Sequence, residues 1–198
     1  MRANFLLRFG ARFGLSFALF AALWVAAAPA YNALVFAGAN GALQLDDPRV
    51  AEIGTDDGQW VAFHLNGAER EASFVFDRYG TFFNVVLLLA LLWATPRLSW
   101  RARLLRSALA IATLGFVQVL FVVVQIKAQF VNAGLLYMPN QTAYMLNWVA
   151  VLMGTLGEKL FPLLIVAALS WRAWYQSLDT QRARTPHSAK LTRKATQP

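Results

Sequence analysis

Four long apolar stretches, 13–36, 79–95, 104–126 and 144–171, each flanked by charge, constrain this chain more than any other feature. A bilayer hydrocarbon core about 30 Å thick is crossed by roughly 20 mostly apolar helical residues, and of the 198 residues 58% are apolar and 14% charged. Lipid, not water, is the solvent such a composition fits. The expectation is an all-α polytopic membrane protein with four transmembrane helices. The second stretch, ended by Pro96, is short, and the fourth is longer than one span needs. Trp24, Trp93, Trp100, Trp148, Trp171 and Trp174 fall mostly near the ends of the runs, where interfacial aromatics belong.

The placement of charge orients these spans. Residues 1–12 carry net +3, residues 97–106 carry +4 and residues 172–198 carry +5, whereas 37–78 holds eight of the ten acids and nets −5. The excess of basic residues belongs on the cytoplasmic side. The N-terminus 1–12, the loop 96–103 and the tail 172–198 are therefore expected inside, and 37–78 and 127–143 outside. The first run also has the form of a signal peptide, with Ala28-Pro29-Ala30 as a small-residue cleavage triplet. Leu34, Val35 and Phe36 extend it to spanning length, which favours retention.

The outer segment 37–78 has its own punctuation. Gly38-Ala39-Asn40-Gly41, Asp46-Asp47-Pro48 and Asp56-Asp57-Gly58 read as loops. From Gln59 the sequence alternates through Trp60, Val61, Phe63 and Leu65 to Asn66-Gly67, then resumes through Ser73-Phe74-Val75-Phe76, the signature of a small extracytoplasmic β-hairpin. The period of two puts Val61, Phe63 and Leu65 on one face, with Phe74 and Phe76 together across the turn. An isolated hairpin is barely stable in water, so this one leans either on the chain's own helix ends and headgroups or on the outer domain of a partner. Trp60, Phe63, Phe74 and Phe76 are the candidate contacts.

Polar residues inside lipid need partners. Gln118, Gln125 and Gln129 share one face of the third run, with Gln118 deepest, and Glu158-Lys159 interrupts the fourth between Gly154, Gly157 and Pro162. Neighbours in sequence do not face each other on a helix. Glu158 is expected either to accept a hydrogen bond from Gln118 or Gln125 while Lys159 snorkels outward, or to lie at a break where 145–155 becomes a re-entrant piece. Interhelical glue is the plain reading of the glutamines, and an interfacial charge that of Glu158.

Catalytic signatures are few. The sequence has no cysteine, which excludes disulfides, thiolate metal sites and cysteine nucleophiles. His64 and His187 are its only histidines, too few for a zinc site, and no Gly-x-Ser-x-Gly, Walker A, dinucleotide or EF-hand pattern occurs. No cofactor is expected. The basic residues sit beside apolar runs instead of on a polar face interleaved with stacking aromatics, which argues against nucleic acid. Asn140-Gln141-Thr142 is a formal glycosylation tripeptide, and the basic tail suits anionic headgroups.

With these residues in hand the chain resembles the small membrane proteins associated with exosortases of the H type in Gram-negative bacteria. The resemblance rests on the first span and its outer β-like segment, Tyr79-Gly80 leading to Leu87-Leu88-Leu89-Ala90-Leu91 and Thr95-Pro96, Gln118 before a Val-rich stretch, and Phe161-Pro162-Leu163-Leu164 ahead of Trp171. It covers residues 1–175 in outline. The exosortase itself is built on a cysteine with arginine and histidine, so this chain is not that enzyme. The resemblance implies a non-catalytic inner-membrane accessory protein in the processing of C-terminal sorting signals, with lipids and an exosortase as partners. Gln118, Gln125, Glu158 and Lys159 are then the candidate helix-partner contacts. A transporter subunit with Glu158, Lys159 and the glutamines along a polar path, and a membrane enzyme using Glu158 or His64, are the alternatives.

Overall fold

The computed structural model describes the backbone of residues 2–46, 51–56, 59–66, 69–76, 82–96, 98–157, 159–171 and 175, and the side chains of these apart from 2–6, 51 and 64–74. The elements in order are helix α1 (Arg2–Asp46), strands β1 (Ala51–Asp56), β2 (Gln59–Asn66) and β3 (Glu69–Phe76), and helices α2 (Asn84–Ala94), α3 (Trp100–Asn132) and α4 (Asn140–Leu152). A π-helical turn, Met153–Gly157, follows α4, and a last helix, α5, covers Lys159–Trp171.

α1 is far longer than the run 13–36 that announces it. Its 45 residues extend about 68 Å at 1.5 Å per residue, more than twice the hydrocarbon thickness. The stripe Trp24, Ala28, Tyr31, Val35, Ala39 and Leu43 recurs at helical spacing and packs inward, while Leu15, Leu19, Leu23 and Leu34 stay exposed, as lipid-facing residues do. Pro29 lies within the helix without ending it.

The expected turn at Gly38–Gly41 does not occur. Ala39 and Leu43 are buried on the bundle side, and a Cβ on Gly38 would stand 2.9 Å from Val119 of α3. The glycine permits close helix approach instead of a turn, and burial of the flanking residues carries the helix through it.

α2 is the clearest departure from the expected four spans. Eleven residues reach about 16 Å, too little to cross a bilayer, and the helix stops at Thr95 before Pro96. Val85, Val86, Leu88, Ala90, Leu92 and Ala94 are all buried, so it is a core piece wedged between α1 and α3. Among the described residues two helices, α1 over Leu7–Asp46 and α3 over Trp100–Asn132, are long and apolar enough to span a membrane. The pair Asn140–Gly157 and Lys159–Trp171, bent by 64°, makes a third if it is one span.

α3 overruns its expected bounds at both ends. Ser99 Oγ accepts from the Ala102 amide to start it. At the other end Gly134, at φ 73°, lets the amides of Gly134 and Leu135 return to the carbonyls of Val131 and Phe130, a Schellman closure. The loop expected over 127–143 shrinks to 133–139 accordingly.

Beyond the bundle β1, β2 and β3 form an antiparallel sheet in that order. The hairpin of β2 and β3 is as expected in kind, with Asn66 opposite Glu69, but it is part of a three-stranded sheet. Residues 51–56, of which the sequence marks Asp56 as loop and assigns the rest no element, pair along β2 from Ala51 opposite His64 to Asp56 opposite Gln59. Trp60 and Ala62 turn to α1 with Phe76 and Ile53, and Phe63 lies across Gly54 on the opposite side. A register irregularity falls between Ala62 and Phe63.

Candidate functional site

Three polar side chains meet in the middle of the bundle. Gln118 of α3 is 4% exposed. Its Nε2 donates to Asn84 Oδ1 at 2.7 Å, and its Oε1 accepts from the Tyr31 hydroxyl. Each comes from a different helix, because Tyr31 lies on the inward stripe of α1 and Asn84 opens α2. In a low-dielectric interior an unsatisfied amide costs several times what a satisfied one contributes. The amide therefore fixes the mutual register of α1, α2 and α3. Trp24 and Phe82 pack edge-on to the Tyr31 ring, with centroids 5.5 and 6.2 Å away, and shield the group.

Next to this trio is a cavity of about 20 Å³, room for about one water. Asn84 and Gln118 supply its polar wall, Phe82, Phe121 and Phe161 its aromatic walls, and Met153 and Gly157 of the π turn close it. A pocket for a drug-sized substrate is more than tenfold larger. Among the described residues no group of three His, Asp or Glu could hold a metal ion.

Gln125, two turns along α3, does something different. Its Nε2 donates at 2.8 Å to the carbonyl of Ala150, just before α4 widens into the π turn. Gly154 allows this approach, since a Cβ there would lie 3.2 Å from that nitrogen. Farther out Asn132 and Asn147 exchange two amide hydrogen bonds, each 2.9 Å, so α3 and α4 are joined at two levels. π turns in helices mark positions where side chains or functional groups intrude on regular pairing.

The expected partner of the glutamines, Glu158, lies outside the described residues; among those described, the two amides engage Tyr31, Asn84 and Ala150. Lys159 is exposed at the start of α5, where α4 and α5 change direction. The two helices meet at a bend of 64°, which either a broken span or a re-entrant piece would show.

The sheet is fastened to α1 by a second group. Phe36, 1% exposed, stacks against Trp60, Phe76 and Phe82 with centroid distances of 4.8, 4.9 and 5.6 Å. Asn40 Oδ1 accepts from the Ile53 amide at 3.0 Å, capping the edge of β1 that β2 does not cover. Asp46 and Lys127 form an ion pair that ties the ends of α1 and α3 beside it. Of the candidate outer contacts, Trp60 and Phe76 are thus engaged by α1, Phe63 remains on the far face, and the Phe74 side chain lies outside the described residues.

Tyr31, Asn84 and Asn40 escaped the sequence reading. Asn84 carried a signal, being a strongly polar residue in the apolar run 79–95. Asn40 was hidden by its glycine neighbours, which suggested a turn. Comparison with protein-family models, with curated proteins and with solved structures returns no match in any of the three.

Proposed function

We propose that this chain is a non-catalytic accessory protein of an exosortase-type C-terminal sorting system in the bacterial inner membrane. The accessory part is carried by one observation: Gln118, Gln125 and Asn40 are each used to hold the chain's own helices and sheet in a fixed relation. Gln118 and Gln125 bind helices, Asn40 binds the sheet, and the cavity beside Gln118 admits no more than about a water. Such a molecule is built to position a small outer sheet at a set height above a membrane. The exosortase part rests on the sequence resemblance. The basic flanks 1–12, 97–106 and 172–198 put both termini in the cytoplasm and the sheet outside.

Affinity purification of the tagged chain from native membranes in mild detergent, with mass spectrometry of what stays bound, tests this. Recovery of an exosortase or a sorting-signal protein is the expected result; a homo-oligomer with no such company counts against it.

The bend between α4 and α5 favours a second reading. Broken helices beside an exposed cation are what transporter sites are made from, and Lys159 stands at this break. Reconstituted solute flux that depends on Lys159 or Glu158 would select it over the accessory role.

A further inference from the structure

The end of the bundle opposite the sheet carries cations without a described counter-ion. Arg103 and Arg106 continue, back toward the start of α3, the inward stripe of Ser107, Ala110, Leu114 and Gln118. They are half-buried, unlike the exposed Arg101, Arg8 and Arg12. Arg103 Nη2 donates to the Thr95 carbonyl at 3.3 Å, but its Nε and Arg106 Nη1 are shielded from solvent with no hydrogen-bond partner. The acids whose positions are described, Asp46, Glu52, Asp56, Glu69 and Glu71, all lie on the sheet or at the end of α1 beside it. A guanidinium nitrogen withdrawn from water needs an acceptor, and a charged one most of all.

Two features say what that acceptor is. Trp93 and Trp100 pack edge to face at 4.9 Å at the same level, and Trp93 Nε1 donates to Ser107 Oγ at 3.1 Å. Tryptophans of this kind mark headgroup depth, and at that depth the abundant anion is phosphate. Guanidinium groups three residues apart on one helical face suit a tetrahedral oxyanion by forked donation. We propose that Arg103 and Arg106 form a binding site for the phosphate of an anionic phospholipid headgroup, seated against Trp93 and Trp100. This holds whichever face of the membrane that end occupies.

The full chain in nanodiscs of phosphatidylcholine, alone or doped with phosphatidylglycerol, provides the test, read as the ratio of the two lipids retained on the protein in native mass spectrometry. The wild type retains phosphatidylglycerol preferentially. Two basic groups near headgroup level set the size of the effect, so R103Q/R106Q loses roughly thirtyfold of that preference, while R101Q, on the exposed face, keeps it. If the glutamine pair does not fold, R103K/R106K, which keeps the charge and loses the fork, carries the test and shows a reduced preference. An unchanged preference in the arginine variants, or an equal loss in R101Q, overturns the site. Displacement of the retained lipid by inorganic phosphate overturns its assignment to a lipid.

Discussion

Gln118 Nε2 sits 2.7 Å from Asn84 Oδ1, across 34 residues of sequence, and this bond makes a short helix that cannot span a membrane part of one that can. Gln118→Leu leaves Asn84 and the Tyr31 hydroxyl facing an apolar side chain. Truncating one member of a buried hydrogen-bonded group costs about 1–3 kcal/mol, toward the lower part of that range within membranes. Unfolding of purified protein in mixed micelles with increasing denaturing detergent measures it. Tyr31→Phe, which removes one bond and leaves the amide pair, should cost less than Gln118→Leu.

Asn40→Ala tests the tether of the sheet. The Ile53 amide loses its acceptor on the open edge of β1, and a lost bond of this kind is worth about 1 kcal/mol. Hydrogen exchange should accelerate at Ile53 and its strand neighbours while α3 keeps its protection. Acceleration throughout the chain would show that the sheet and bundle unfold as one unit.

Gly38→Val places a Cβ 2.9 Å from Val119 Cγ2. Overpacking of this sort costs about 1–3 kcal/mol, and Val119→Ala should return most of it by vacating the contact. The double variant measured against both single ones isolates that coupling. A Gly38→Val protein as stable as wild type would argue that α1 turns at Gly38–Gly41 after all.

Trp24 and Ala28 pack into the bundle, so removal of residues 1–30 would strip α1 of the first part of its inward stripe and leave Tyr31, the partner of Gln118, as the new terminal residue. The prediction is that the mature protein keeps α1. Peptide mapping of membrane-extracted protein should recover peptides from within residues 1–30, whereas their absence with Tyr31 as a new N-terminus would identify cleavage after Ala30.

Parts of this architecture were legible from the sequence because a single physical scale dictates them. Bilayer thickness makes the runs of α1 and α3 readable, and the alternation around Asn66-Gly67 announces β2 and β3. β1 was not, because Ala51–Asp56 holds only Ile53 and Thr55 as strand formers and owes its conformation to pairing with β2 and to Asn40. Gly38–Gly41 misled for a related reason: glycine signals a turn in isolation, but here it serves a helix contact that only the fold supplies. The stripe of Gln118 and Gln125 was visible as a stripe, yet its partners Tyr31, Asn84 and Ala150 lie 25 to 87 residues away, and periodicity carries no information on such distant pairing. The shortness of the second run was visible too, though not that burial on several sides makes α2 a core element.

The accessory role is tested most directly in cells by following cleavage of a protein that bears a C-terminal sorting signal, with and without this chain, at matched exosortase levels. The account predicts that uncleaved precursor accumulates when the chain is absent and that the wild-type chain restores processing, while a chain carrying Gln118→Leu with Asn40→Ala, confirmed to be present in the membrane, restores it poorly. Processing that proceeds at the same rate without the chain would contradict the account.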